Sequence, residues 1–171
     1  MYKRQGNLGD SYLGLKALSN KAKFKHKDKL FFVDKYYKPE LPLNLTKYLL
    51  KFANSSIDVS DGLIDDLAKM INRQTLSFHL FENKIPVSKK LNNFVKKQRL
   101  NKINLISNGD DYQVLFTAGI KKARIIQNAS KATGIKITKI GKIVSGKDRS
   151  LIFDEKGKQI RAKSKGYIHR F

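Results

Sequence analysis

The fold is decided by the segment Ile57-Asp58-Val59-Ser60-Asp61-Gly62-Leu63, in which a strand pattern passes into a helical one. Ser55 to Val59 has the composition of a short strand. From Asp61 to about Arg73, apolar residues recur at three- and four-residue spacing, as they do on one face of a helix. We expect such elements to form one α/β (α+β) sandwich, in which helices cover a mixed sheet.

Further strands and helices are predicted on both sides of this segment. Alternating or apolar runs predict strands at 76–81, at 112–117, at 135–144 with a bend at Gly141, and at 151–153 and 159–161, paired across a turn at 154–157. Helical spacing and capping signals predict helices at 10–19, capped by Asp10 or Ser11, at 30–36, at 44–52, at 88–98, capped by Ser88, and at 121–133, ended by Gly134.

The chain is strongly basic. Of its 171 residues, 36 are Lys or Arg and 14 are Asp or Glu, which gives a formal net charge of +22. Such a charge suits a polyanionic partner. However, only seven of the basic residues are Arg, and the lysines run along the whole chain. Because base readout favours Arg, we interpret the charge mainly as a solvated surface and keep a nucleic-acid-binding module as the alternative.

Several classes of protein are excluded by composition. The chain has no cysteine, which excludes disulfides, thiol catalysis and Cys-ligated metals, and its three histidines are too scattered to suggest a zinc site. No run approaches the roughly 18 apolar residues of a membrane helix. The first ten residues also lack the apolar segment of a signal peptide. We therefore expect a soluble, cytoplasmic protein with no membrane partner.

The scarce acidic residues are clustered. Six of the 14 lie within 58–66 and at Asp110 and Asp111. Grouped carboxylates repel unless a cation or strong donors compensate, and Mg²⁺ takes oxygen ligands that it often shares with phosphate. A helix that starts near Asp61 would also offer free N–H groups to a phosphate. Asp58 and Asp61 are thus candidate Mg²⁺ ligands; the alternative is that Ser60 or Asp61 only caps the helix.

The second acidic segment is Asn108-Gly109-Asp110-Asp111-Tyr112-Gln113-Val114. It predicts either an acidic edge that faces a cationic or metal-bound ligand, or an ordinary Asx-type turn before a strand. The opening Gly6-Asn7-Leu8-Gly9-Asp10-Ser11 would let the backbone approach a ligand closely, although ordinary turns have the same composition. Nucleotide-binding fingerprints and a nucleophilic triad are not found, so no catalytic side chain is assigned.

Taken in order, these segments resemble the thiamine-monophosphate kinase family. The matching segments are 6–11, 57–63 with Asp66-Leu67, 109–117, Ile140-Gly141-Lys142-Ile143 and Gly166-Tyr167-Ile168-His169. The family belongs to the aminoimidazole-ribonucleotide-synthase-like superfamily of ATP-dependent enzymes, and the matching part is its C-terminal half. The resemblance therefore implies a C-terminal domain at 6–171, with a fold like that of the aminoimidazole ribonucleotide synthase C-terminal domain, after a non-matching stretch at 1–5.

The resemblance also implies an activity and a set of site residues. It implies transfer of the ATP γ-phosphoryl group to thiamine phosphate, which gives thiamine diphosphate and ADP. Asp58 and Asp61 would coordinate Mg²⁺, Ser60 would contact ATP, and Asp110 and Tyr167 would face thiamine phosphate. An acid and an aromatic ring suit a cationic thiazolium. Asn108 stands where the family usually has Gly, and Asn tolerates the left-handed conformation.

The family's N-terminal half has no counterpart in this sequence. That half carries most of the Mg²⁺-binding acids, ATP-binding residues and the strands that form the dimer. We therefore expect a fragment of a longer, homodimeric enzyme that binds nucleotide weakly and turns over nothing alone. The alternatives are a sibling enzyme (selenophosphate synthetase, aminoimidazole ribonucleotide synthase or hydrogenase-maturation dehydratase), a basic nucleic-acid-binding module, or a noncatalytic remnant that associates with a partner half.

Overall fold

The computed structural model describes residues 2–4 (backbone only), 6–41, 43–71, 75–147, 149–163 and 166. This part of the chain contains two four-stranded sheets and seven α-helices. The strands are β1 Tyr2–Arg4, β2 Ser55–Val59, β3 Leu76–Phe81, β4 Gln113–Thr117, β5 Ile137–Lys139, β6 Gly141–Ser145, β7 Leu151–Phe153 and β8 Gln159–Ile160. The α-helices are α1 Asp10–Leu18, α2 His26–Tyr37, α3 Leu43–Phe52, α4 Leu63–Met70, α5 Lys89–Gln98, α6 Ile103–Ile106 and α7 Ala123–Thr133. Among the described helices, none has the length and apolar character needed to span a bilayer.

The strands divide between two sheets. The first has the order β2-β4-β1-β5 and is antiparallel throughout. The second has the order β6-β3-β7-β8 and is mixed, because β3 and β7 run parallel while the other pairs are antiparallel. The predicted α/β sandwich is confirmed, but the single mixed sheet is in fact two sheets, one of them mixed. The first sheet includes β1, from the stretch at 1–5 that lies outside the family resemblance.

One buried residue connects the two sheets. The alternating run at 135–144 predicts a single bent strand, whereas the structure divides it at Ile140 into β5 of the first sheet and β6 of the second. Ile140 is fully buried, and its carbonyl accepts a hydrogen bond of 2.9 Å from the amide of Phe81. A period-two pattern predicts an extended chain but not the sheet that it joins.

The first sheet is covered on both faces. Leu115 of β4 belongs to a core that it shares with α4 and the second sheet, whereas its neighbour Phe116 packs against α3 and α7. Successive strand residues point to opposite faces, so two cores flank this sheet. A third core joins α1, α2 and α5 through Leu13, Phe32 and Leu91. These cores fix the ends of β2 and β4, where the acidic segments lie.

The start of α1 differs from its prediction. Its N-cap is Gly9, with φ 85°, rather than Asp10 or Ser11. Asp10 is buried and accepts a hydrogen bond of 2.6 Å from the Ser88 hydroxyl, while Ser11 donates to the carbonyl of Lys35 at 3.1 Å. Ser88 itself caps α5 as predicted, accepting from the amide of Leu91 at 3.0 Å. The two predicted caps of α1 therefore serve long-range contacts instead.

Candidate functional site

The two acidic segments meet along their backbones. The amide of Asp110 donates to the carbonyl of Ser60 at 2.9 Å, and the amide of Tyr112 donates to the carbonyl of Val59 at 2.9 Å. These bonds extend the pairing of β2 with β4, in which Val59 opposes Gln113. Two segments about 50 residues apart in the sequence thus form one continuous loop pair, which we call the paired loops (residues 58–62 and 107–112).

Two glycines allow the paired loops to approach so closely. A Cβ at Gly109 would lie 1.8 Å from the carbonyl oxygen of Ser60, and a Cβ at Gly62 would lie 2.1 Å from the carbonyl oxygen of Ser107. Gly62 also has φ 124°, which side chains rarely adopt. Both glycines are therefore required by backbone contact between the two loops.

The second loop holds two non-glycine residues in the left-handed region. Asp110 has φ 69° and Tyr112 has φ 49°, whereas Asn108, which stands where the family usually has Gly, does not have a positive φ. Between them, the buried Asp111 accepts a hydrogen bond of 2.7 Å from the amide of Gly9. Because the partner of Asp111 is about 100 residues away in the sequence, this hydrogen bond is not that of an Asx turn, which is local. Backbone held in such conformations by its surroundings is often found at functional sites.

The first loop leads into a cluster of three carboxylates at the start of α4. Carboxylate oxygens of Asp61, Asp65 and Asp66 lie within 4.8 Å of one another; we call these residues the α4 acid cluster. The ammonium of Lys69 contacts Asp61, lies 2.8 Å from Asp65 and lies 3.4 Å from Asp66. Its hydrogen bonds to Asp61 and Asp65 raise the pKa of Lys69 above its ordinary value, so the ammonium stays charged.

Asp66 orders the start of the helix. One of its carboxylate oxygens accepts hydrogen bonds of 3.0 Å from the amides of both Asp61 and Gly62. The helix begins at Leu63 with Gly62 as N-cap, so neither Ser60 nor Asp61 caps it. Burial raises the pKa of Asp66, while the two amides and Lys69 act in the opposite direction. Asp66 is therefore a buried structural acid rather than a solvated one.

Asp58 lies apart from the α4 acid cluster. It is exposed on the edge strand β2, opposite Val114 of β4, and is not a member of the carboxylate group. Its neighbours Ile57 and Val59 belong to the core that contains α4, so Asp58 lies on the other face of the strand. The structure therefore brings Ser60 and Asp61 beside the second loop at Gly109 and Asp110, whereas Asp58, two residues before Ser60, lies on the other face of β2 from α4.

The C-terminal motif begins beside the same cluster. A Cβ at Gly166 would lie 2.5 Å from Cβ of Asp65 and 2.9 Å from the carbonyl oxygen of Asp61. Tyr167, predicted to face thiamine phosphate, lies outside the described residues. The described part of this motif is thus packed on the first loop.

Sequence reasoning missed two contributors to the site. Lys69 follows Asp65 and Asp66 by four and three residues, a spacing that favours ion pairs on a helix and could have revealed it. Gln113 is buried and donates through Nε2 to the carbonyls of Glu40 and Asp111. A Cβ at Gly6 would overlap the Gln113 side chain, so Gln113 packs against the Gly-rich opening. No local pattern signals that contact.

Comparison with known proteins identifies relatives of this chain, although no protein-family model matches it. Thiamine-monophosphate kinase of Buchnera aphidicola subsp. Schizaphis graminum (strain Sg) is 34% identical over 166 residues, which cover 96% of this chain and 50% of the relative. The solved structure of AaThiL complexed with AMPPCP and TMP matches 99% of this chain and 50% of that chain, with a TM-score of 0.74 and 26% identity. The chain is related to the C-terminal half of the thiamine-monophosphate kinases.

The match to the thiamine-monophosphate kinases confirms the family predicted from the motifs. The chain spans about half the length of the curated relatives it matches. The hydrogenase maturation protein HypE of E. coli shares the fold alone, with a TM-score of 0.71 at 14% identity over 99% of this chain and 50% of that chain. The thiamine-monophosphate kinases and HypE have the aminoimidazole-ribonucleotide-synthase-like fold, which confirms that part of the prediction too.

Proposed function

We propose that this chain supplies the C-terminal part of a thiamine-phosphate kinase, which transfers the γ-phosphoryl group of ATP to thiamine phosphate. The observation that carries the proposal is the backbone contact between Ser60 and Asp110. It joins the loop that the family resemblance implies for ATP and Mg²⁺ to the loop that it implies for thiamine phosphate. A relative crystallised with AMPPCP and TMP supports this pair of substrates.

The proposed phosphoryl transfer depends mainly on how the enzyme positions its two substrates. In phosphoryl transfer, most of the rate comes from holding donor and acceptor in line and neutralising charge. Ser60 would contact ATP, and Asp110, fixed by its bond to Ser60, would face the cationic part of thiamine phosphate together with Tyr167. Because the two loops are joined through their backbones, the distance between the proposed donor and acceptor sites does not depend on flexible side chains.

The first loop carries donors of the type that Mg²⁺ prefers. Asp58 and Asp61 both offer carboxylate oxygens, although Asp58 lies on the other face of β2 from the α4 acid cluster, where Asp61 contacts the Lys69 ammonium. We propose that each of these two residues would contribute an oxygen ligand to Mg²⁺, and that the other ligands come from outside this chain. The bound ion would offset the repulsion between phosphate oxygens and the incoming acceptor.

The rest of the proposed enzyme corresponds to the half of the curated kinases that this chain does not match. We propose that the N-terminal half of a full-length kinase completes the ATP and Mg²⁺ site and forms the homodimer, and that the enzyme works in the cytoplasm. The matching region, 6–171, would then be its C-terminal domain. On this proposal the present chain binds nucleotide weakly and has no turnover of its own.

The test joins the unmatched half of the 34% identical Buchnera kinase to this chain and measures formation of thiamine diphosphate and ADP. The chimera should be active in Mg²⁺, and this chain alone should be inactive. Asp58→Asn in the chimera should abolish Mg²⁺-dependent turnover with an unchanged circular dichroism spectrum. The matched control is Asp34→Asn, an exposed acid of α2 paired only loosely with Lys38, at 3.8 Å.

Three outcomes would contradict the proposal. A folded chimera without kinase activity would contradict the assigned reaction. Unchanged kinetics in Asp58→Asn would contradict its role as a metal ligand. A normal kinase rate from this chain alone would contradict the need for a second half.

A further inference from the structure

Lys69 links the helix α4 to the loop before it. Its pairs with Asp65 and Asp66 follow helical spacing, but Asp61 precedes the helix by two residues. The Lys69 side chain is 45% exposed, whereas that of Asp66 is 2% exposed. The contact is therefore more than a surface helix pair, because it joins an exposed ammonium to a buried acid that orders the loop.

The ammonium and a divalent cation would compete for the same oxygens. Three carboxylates within 4.8 Å repel one another, and Lys69 is the cation that offsets this repulsion in the described part of the chain. Mg²⁺ binds carboxylate oxygens at about 2.0 to 2.1 Å. An ammonium in contact with the carboxylate of Asp61 would then lie close enough to the ion for strong repulsion between the two cations.

We propose that Lys69 is a positioning residue that holds Asp61 in the metal-free chain and weakens the binding of divalent cations there, so that metal binding displaces its ammonium. The inference rests on the proposed function in one respect, the role of Asp61 as a metal ligand. The competing interpretation is that Lys69 only stabilises α4. In that case its removal would lower stability without changing metal affinity.

Displacement of Lys69 would affect the paired loops through the hydrogen bonds of Asp66 and the backbone packing of Gly62. Asp66 accepts from the amides of Asp61 and Gly62, and Gly62 is packed on the carbonyl of Ser107. Gly166 lies against Asp61 and Asp65. Movement of the Lys69 ammonium would therefore remove a positive charge from beside both the first loop and the C-terminal motif.

The test measures Mn²⁺ binding by this chain without nucleotide or thiamine phosphate, using electron paramagnetic resonance. Lys69→Met removes the ammonium and keeps the aliphatic stem; it should lower the Mn²⁺ dissociation constant roughly tenfold. Lys69→Arg should behave like the wild type. The matched control is Lys90→Met, whose ammonium pairs with Asp28 at 2.5 Å, away from the cluster. A dissociation constant within twofold of wild type in Lys69→Met, or no Mn²⁺ binding by either protein, would overturn the proposal.

A second measurement on the wild-type chain covers the case in which Lys69→Met does not fold. The rate of amine acylation at Lys69, followed by peptide mass spectrometry, should rise several-fold when Mg²⁺ is added, while the rate at Lys90 stays constant. An unchanged rate at Lys69 would overturn the proposal. Neither measurement uses ATP, so an inactive chimera would contradict the kinase proposal alone, and unchanged Mn²⁺ affinity beside an active chimera would contradict this inference alone.

Discussion

The amide of Asp110 donates a hydrogen bond of 2.9 Å to the carbonyl oxygen of Ser60, although 50 residues separate the two in the chain. The contact is made by backbone atoms, so it does not depend on the identity of either side chain. It also sets the spacing between the two acidic loops independently of which acids they carry. Substitutions of the acidic side chains can therefore test the chemistry of either loop, whereas substitutions of Gly62 or Gly109 test the contact itself.

Gly109→Ala should separate the paired loops. The new Cβ would lie 1.8 Å from the carbonyl oxygen of Ser60, so backbone would have to move. We expect a loss of about 2 to 4 kcal/mol in the free energy of unfolding, measured by urea denaturation. The matched control is Gly119→Ala, where a Cβ meets nothing within 4 Å, and its effect should stay within about 0.5 kcal/mol. Equal effects at both positions would contradict this account.

Asp66→Ala should weaken the start of α4. The carboxylate oxygen accepts from two amides, and Ala leaves both amides without this acceptor. We expect a loss of about 2 kcal/mol in urea denaturation because the site is buried. Asp66→Asn should cost less, since its carboxamide oxygen can accept both bonds and burial already disfavours the charge. Asp65→Ala, which removes a more exposed partner of Lys69, should cost less than about 1 kcal/mol. A larger loss for Asp65→Ala than for Asp66→Ala would show that pairing with Lys69 matters more than the bonds to the two amides.

Asp110→Asn in the chimera should affect one substrate more than the other. Asn tolerates the left-handed conformation that Asp110 adopts, so the loop should keep its shape while losing one negative charge. We expect the KM for thiamine phosphate to rise roughly tenfold and the KM for ATP to change less than twofold, because under the proposed assignment the lost charge would face the cationic thiamine phosphate. Steady-state kinetics with each substrate varied in turn provide the measurement. A larger rise for ATP would mean that the two loops have been assigned to the wrong substrates.

Lys102 should make stability depend on pH. Burial lowers the pKa of its ammonium below the ordinary value of 10.5, an effect that Glu82 and Glu155 partly oppose. Between the lowered pKa and 10.5 the unfolded chain binds more protons at this site, so stability rises with pH in that window. The free energy of unfolding of the wild type minus that of Lys102→Met should therefore increase from pH 7 towards pH 10.5. A flat or falling difference would contradict the lowered pKa.

Much of the local structure was predictable from short-range signals. The limits of the strands Ser55–Val59 and Leu76–Phe81 agree with their prediction, and so do the Ser88 cap of α5 and Gly134 at the end of α7, where φ is 67°. Each of these depends on residues that are close in the chain. Helix α6 was missed because its four residues are too few to show a helical period.

The remaining features depend on contacts between distant parts of the chain. The amide of Gly9 is bound by Asp111, and Asp10 by Ser88, so the start of α1 could not be deduced from its own sequence. The resemblance to the kinase family implies which acids belong to the site, and that assignment stays a prediction. It did not predict that Lys69 holds Asp61, because that pair depends on the turn at Gly62. The roles of Asp58, Ser60, Asp61, Asp110 and Tyr167 stay predictions.

Ile140 is the single residue between β5 and β6 and is buried, so the two strands are joined without a loop. Local unfolding of either strand should therefore displace the other. In native-state hydrogen exchange, the amides of these two strands should therefore become accessible in the same cooperative event. The outward-facing turns of α2 should exchange earlier, since only Phe32 of that helix is buried.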